Sequence, residues 1–147
     1  MASRIPLIVV IAGPNGAGKT TAQGRESFAF ETTLASRSFA PWLRQRRVEG
    51  YRVHLAFLSL PTVDLALARV RERVRSGGHE VPAPVVRRRY VGGLRNFFTI
   101  YQHIADRWQL FDNSDASAYR LIAYGGADSP PEIVDYHAWN ELMRNAR

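Results

Sequence analysis

Residues 13–20 read Gly-Pro-Asn-Gly-Ala-Gly-Lys-Thr and directly follow the apolar run 5–12, IPLIVVIA. The spacing is G-x-x-x-x-G-K-T, a P-loop pattern whose confirmation is a strand before it and a helix after it. The run 5–12 is continuous and largely β-branched, as a strand buried on both faces of a parallel sheet should be. Glycines let successive backbone N–H groups curl around an anion, and a following helix N-terminus adds partial positive charge. In such a loop Lys19 reaches the β- and γ-phosphates and the Thr20 hydroxyl holds Mg²⁺. The stretch predicts a nucleoside triphosphate site.

Working outward, the spacing becomes unusual at once. Residues 20–23 start a helix, Gly24 interrupts it, and residues 27–31 already read as the next strand. A strand–helix–strand crossover takes at least about ten to twelve residues, and only seven run from Thr20 to Glu26. Beyond it, Ser36 or Ser38 is placed to cap a helix carrying Phe39, Trp42, Leu43 and Val48, which Gly50 ends. Residues 52–60 (RVHLAFLSL) form a strand in which His54 reads as structural. Thr62 caps a helix whose buried stripe is Val63, Leu67, Val70 and Val74. After the loop 76–82, Pro84 restarts a helix with a stripe from Leu94 through Phe97, Phe98, Tyr101, Ile104 and Ala105 to about Trp108. Strands follow at 110–113 and 119–124, and Pro130-Pro131-Glu132 opens a last helix to about Arg144, buried through Ile133, Trp139 and Leu142. Alternating strands and helices with no internal repeat predict an α/β fold, a parallel sheet flanked by helices, as one domain over 1–147.

Composition narrows the chemistry. The 147 residues contain no cysteine, which excludes disulfides, thiolate metal sites and cysteine nucleophiles. No apolar run approaches the roughly 18 residues of a membrane span, and the short run 5–12 behind Arg4 makes a poor signal peptide. The expectation is a cytoplasmic protein with no membrane partner. The net charge is +7, supplied almost wholly by arginine, and favours polyanionic partners.

The arginines are placed as well as numerous. Arg69, Arg71, Arg73 and Arg75 lead into Gly77-Gly78, and Arg87, Arg88 and Arg89 follow it. A glycine-hinged helical pair with cations on both arms is the shape of a lid, here over about 69–92. Arginines closing over a migrating phosphoryl group can be worth several powers of ten in rate. Glu31 ends the second strand, where open α/β sheets place their ligands. Strand 52–60 ends in Ser59-Leu60 and not in the aspartate of a motor or transporter ATPase, which favours a small-molecule kinase. Asp112 reads as a turn former.

Four segments carry a resemblance: residues 11–21 (IAGPNGAGKTT), 27–34 (SFAFETTL), 65–81 (LALARVRERVRSGGHEV) and 87–94 (RRRYVGGL). Together and in this order they resemble the zeta-toxin family of P-loop kinases, and more narrowly its small stand-alone bacterial members. That resemblance implies ATP and Mg²⁺ as cofactors, bound through Gly13, Pro14, Asn15, Gly16, Ala17, Gly18, Lys19, Thr20 and Thr21, with Thr20 at the metal. It implies transfer of the γ-phosphate to a hydroxyl of a nucleotide sugar such as UDP-N-acetylglucosamine. Glu31 and Thr32 then line the acceptor side, and the catalytic set is Lys19, Glu31 and the lid arginines Arg75 and Arg88. An antitoxin is the implied protein partner.

One departure stands out. Between the P-loop helix and the F-E-T-T strand the family carries a longer segment whose aspartate takes the acceptor's proton. Here that segment is missing between about Gln23 and Arg25, which is the short crossover seen from another side. The alternative to a kinase is therefore a nucleotide-binding module, catalytically impaired, that acts by binding an antitoxin or nucleic acid. Nucleic acid ranks below the kinase reading, because the aromatics fall on buried stripes instead of alternating with the arginines.

Overall fold

The computed structural model describes residues 4–15, 27–115 and 117–147. Six strands form one sheet in the order β2-β1-β3-β4-β5-β6. The strands are β1 (Leu7–Ala12), β2 (Phe28–Thr32), β3 (Arg52–Ser59), β4 (Arg107–Asp112), β5 (Arg120–Gly126) and β6 (Ser129–Ile133). Among the described residues the α-helices are α1 (Phe39–Val48), α2 (Val63–Arg75), α3 (Ala83–Thr99) and α4 (Tyr136–Asn145). The α/β sheet with flanking helices expected from the sequence is present.

Strands β2, β1, β3 and β4 are parallel. The steps β2→β3 and β3→β4 run in the same direction along the sheet, so right-handed crossovers put α1 and the α2–α3 pair on the same face. The core confirms it. Ile8, Val10 and Ala12 of β1, Val53, Leu55 and Phe57 of β3 and Leu110 of β4 meet Leu43, Leu67, Phe97 and Trp139 of the four described helices in one cluster. The other face carries Val9, His54, Ala56, Gln109 and Tyr124, which border an open groove of about 740 Å³. Burial, then the nearby Arg107, lowers the pKa of His54.

Four expectations need correction. The helix expected to run to Trp108 stops at Thr99; a short 3₁₀ turn (Tyr101–His103) intervenes, and Trp108 lies on β4. There it stacks on Trp139 and meets Phe97 edge to face, so its apolar period belonged to a strand. Pro130-Pro131-Glu132 does not open a helix but forms β6, an exposed edge strand, where a proline's missing N–H costs little. Both β5 and β6 are antiparallel, so the sheet is mixed. Thr62 does cap α2, its side chain accepting from the Leu65 N–H at 3.1 Å. At α1 neither serine bonds a helical N–H: Ser36 Oγ accepts from Ser38 N instead. No described helix is long and apolar enough to cross a membrane.

The start of α4 is set by Asp135, which accepts from the Ala138 N–H at 3.0 Å. That bond, and then Arg120, holds the carboxyl below its usual 3.8. A lowered folded pKa means the contribution is complete above about 4 and is lost as pH falls through the folded value. Asp135→Ala should cost about 1 kcal/mol at pH 7. In urea melts the gap between parent and variant should narrow as pH drops below 3.8.

Candidate functional site

Strand β1 lies inside the sheet next to its edge, with β2 on one side and β3 on the other, so the chain's direction of travel across the sheet reverses here. A crevice outside the carboxyl ends of strands at such a switch point is where open α/β sheets bind ligands. The carboxyl end of β1 runs into Gly13, whose φ of +153° is a backbone state side-chain-bearing residues rarely adopt. Gly13 N–H donates to the Thr32 carbonyl at 3.2 Å, which ties the head of the loop to the end of β2. Pro14 is buried, and Asn15 Oδ1 is buried with no hydrogen-bond partner among the described residues. Gly16, Ala17, Gly18, Lys19, Thr20 and Thr21 lie outside the described residues. What is described, a strand running into a glycine turn at the switch point, is the context a triphosphate-binding loop needs.

The neighbouring edge is more elaborate than the sequence suggested. Glu31 is exposed, paired in register with Ile11, and makes no ion pair or side-chain hydrogen bond among the described residues. Thr32 Oγ1 accepts from Leu34 N at 3.0 Å and Thr33 Oγ1 from Ala35 N at 3.4 Å. Between them Leu34 sits at φ +59° with its side chain 1% exposed. A left-handed leucine costs on the order of 1–3 kcal/mol and persists only where its surroundings hold it. Helix α3 does the holding. Asn96, itself buried, donates Nδ2–H to the Leu34 carbonyl at 2.7 Å. Gly93 lets the helix approach so closely that a methyl there would fall 2.2 Å from the Thr33 carbonyl oxygen.

On the far side, β3 and β4 end side by side at Ser59 and Asp112. Ser59 Oγ donates to the Phe111 carbonyl at 2.6 Å, and Asn113 N–H to the Ser59 carbonyl at 2.9 Å. Asp112 is a turn former as expected, accepting from Ser114 N at 2.8 Å. It has a second task. Its other oxygen accepts from Arg120 at 2.8 Å, and Arg120 also pairs with Asp135. These two carboxylates, Asp135 first, raise the Arg120 pKa. Such a bridge leaves Asp112 unsuited to hold a ligand cation. Arg69 reaches across from α2 to the Ser114 carbonyl at 2.8 Å.

The glycine-hinged helical pair expected over about 69–92 is present as α2 and α3 joined by residues 76–82, with Gly77 at φ +93°. Its two arginines are not brought together. Arg75 is exposed and lies 3.8 Å from Glu72, while Arg88 faces a cavity with Arg37, Arg87 and Arg95. Tyr90 fixes the root of α3, donating to the Leu60 carbonyl at 2.7 Å and accepting from Asn145. Burial pushes its hydroxyl up to about 12. Sequence reasoning missed the Asn96–Leu34 bond, the Arg120 bridge and the gathering of Arg37 and Arg95. Each joins residues more than five positions apart, and only a stretch of small residues at 92–93 hinted at a close approach.

No family model matches the chain. A stretch of 63 residues is 35% identical to an uncharacterized protein of Haemophilus influenzae, 43% of this chain and 45% of that protein. The chain thus spans less than half of that relative in the match. Among solved structures, the AvrRxo1-ORF1:-ORF2 complex with ATP aligns over 87% of this chain at 16% identity and a TM-score of 0.63. The same complex with sulphate ions aligns equally well at 14% identity. Only 40% of that chain is covered in either case. The likeness is one of fold.

Asn96→Ala should leave the buried Leu34 carbonyl without a donor and lower stability by about 1–3 kcal/mol. Denaturant unfolding checks this; a loss near zero would mean the left-handed turn holds itself.

Proposed function

We propose that the chain is an ATP-dependent small-molecule kinase of zeta-toxin type, acting as one domain over 1–147 on a hydroxyl of a nucleotide sugar. The observation that carries the reading is β1 running into the glycine turn at Gly13 at the switch point of the sheet, hydrogen-bonded to the end of β2. The fold likeness to a protein solved with ATP supports it. ATP and Mg²⁺ supply the activated phosphoryl group and the charge neutralisation. Gly13, Asn15 and the rest of the loop wrap the phosphates, Lys19 reaches the β/γ oxygens and Thr20 holds the metal.

The acceptor comes from the β2 side. Glu31 and Thr32 bind its hydroxyl, whose oxygen forms a bond to the γ-phosphorus as the bond to the β–γ bridging oxygen breaks and ADP leaves. The family's aspartate segment is absent from this sequence. Glu31, not engaged by any arginine among the described residues, receives the hydroxyl proton in this reading, with Glu26, outside the described residues, as the alternative. Arg75 and Arg88 close with the lid to stabilise the transferring charge.

A second reading has its own support in that absent segment: a nucleotide-binding module that acts through a protein partner. The two-component AvrRxo1 complexes are consistent with a partner of antitoxin kind. Turnover separates the two. A kinase should release ADP from ATP and magnesium faster when UDP-N-acetylglucosamine is added; bound ATP with no acceptor-dependent ADP would favour the binding module. Lys19→Ala should abolish ATP binding with an unchanged melting temperature, since the lysine meets ligand and not core. A variant that binds and turns over ATP like the parent would overturn the loop assignment. Glu31→Gln should lower kcat at least tenfold and leave the KM for ATP within about twofold, because a proton acceptor acts mainly in the transition state.

A further inference from the structure

The groove of about 740 Å³ lies on the sheet face opposite the four described helices, toward the amino ends of β3 and β4. No residue proposed for ATP or its acceptor lines it. Strand register builds it from two rows of side chains. Val9, His54 and Arg107 are partners in one, and Ala56, Gln109, Tyr124 and Glu132 in the other. Three charged or titratable groups besides Glu132 line the groove, and two of them carry no free charge. Asp106 is spent, one oxygen accepting from Arg47 and the other from the Val53 N–H, both at 2.8 Å. Burial, then Arg107, lowers the pKa of His54, so the ring is uncharged at neutral pH. Arg107 and Glu132 are exposed and enter no ion pair among the described residues. Among the described residues, the groove therefore holds one free cation and one free anion that do not meet.

What separates them narrows the ligand. Arg107 is on β4 and Glu132 on β6, with β5 between, so their backbones stand about 10 Å apart, two strand spacings. Tyr124 rises from β5 in register with Glu132, and Gly125 and Gly126 beside it bring no side chain to the wall. A guanidinium fork suits a carboxylate. A carboxylate next to an aromatic ring suits an ammonium, which gains from the charge and from the π-face. A polyanion such as RNA would meet a carboxylate beside a single arginine, a poor match. A protein partner would find little to bury: of the large apolar side chains lining the groove only Tyr124 is exposed, at 45%. A specific interface takes about 800 Å² per partner around apolar anchors. The volume of the groove falls instead within the roughly 300–1,000 Å³ of small-molecule sites.

We propose that this groove binds a small zwitterion whose acid and amine are joined by an unbranched apolar stem, the chemistry of a basic amino acid or an ω-amino acid. The acid seats on the Arg107 guanidinium, with the His54 ring and the Gln109 amide as neutral neighbours. The stem crosses Tyr124 and the glycine backbone, and the ammonium reaches Glu132. The site does not rest on the kinase reading, since it shares no residue with it.

Calorimetric titration with 6-aminohexanoate, and with its two half-ligands hexanoate and hexylamine, tests the groove on the full chain, Arg107→Ala and Glu132→Gln. Both side chains are exposed and make no hydrogen bond or ion pair among the described residues, so both variants should melt like the parent and keep ATP affinity within twofold. The parent should bind 6-aminohexanoate at least tenfold more tightly than either half-ligand. Arg107→Ala should bind it no better than the parent binds hexylamine, and Glu132→Gln no better than the parent binds hexanoate. A parent that binds none of the three, or that does not prefer the zwitterion, overturns the proposal. So does a preference that survives in either variant, because the two charges must act together. Sedimentation that shows a dimer in the parent and a monomer in Tyr124→Ala would give the face to a second copy and overturn it too. A parent that binds 6-aminohexanoate as expected and not ATP sinks the kinase reading and leaves the groove standing.

Discussion

A single carboxamide holds the turn after β2 against α3. Asn96 reaches out of α3 to the carbonyl of a leucine in a left-handed conformation. The backbone there would relax to an ordinary turn if it were free, and Thr32, Thr33 and the segment to Arg37 would shift with it. Because an unsatisfied buried carbonyl costs on the order of 1–3 kcal/mol, the bond and the strained turn sustain each other. Gly93 makes the arrangement reachable by removing the methyl that would collide with the Thr33 carbonyl. The end of β2 is held by its register with β1 and by the bond from Gly13, and the Asn96 contact fixes the turn that follows.

The parallel half of the sheet was legible in the chain because its strands are short, β-branched and buried, and because right-handed crossovers leave few ways to join them. The antiparallel half was not. Pro130 and Pro131 look like a helix start when read locally, and only the pairing of Ala123 with Ile133 makes them an edge strand. Trp108 was read as the end of a helical stripe because apolar residues at 97, 101, 104, 105 and 108 satisfy that period; the chain turns at Ile100 instead, and the tryptophan enters the same core from a strand. Periodicity reports that a side chain is buried, not which element delivers it.

For the site, the difference is between motifs and meetings. The glycine turn, Glu31, Thr62 and the hinge at Gly77 were all visible as local patterns. The joining of Arg37 to Arg87, 50 positions apart, has no local signature. The same is true of Arg120, whose role follows from two aspartates that are neighbours only in space. The pair expected to act together, Arg75 and Arg88, was chosen by sequence distance; the geometry sends one to solvent and the other to a cavity.

Tyr90 gives the helical pair an asymmetric mounting. Its hydroxyl is clamped between the last carbonyl after β3 and a side chain of α4, and Val86, Tyr90, Leu94 and Phe97 root α3 in the core. Residues 71–80 are all exposed. The assembly therefore behaves as a cantilever: its fixed end carries the cavity and its free end carries Arg75. An insertion at residues 76–82 would therefore lengthen the tip and leave the packing of Val86, Tyr90, Leu94 and Phe97 in place.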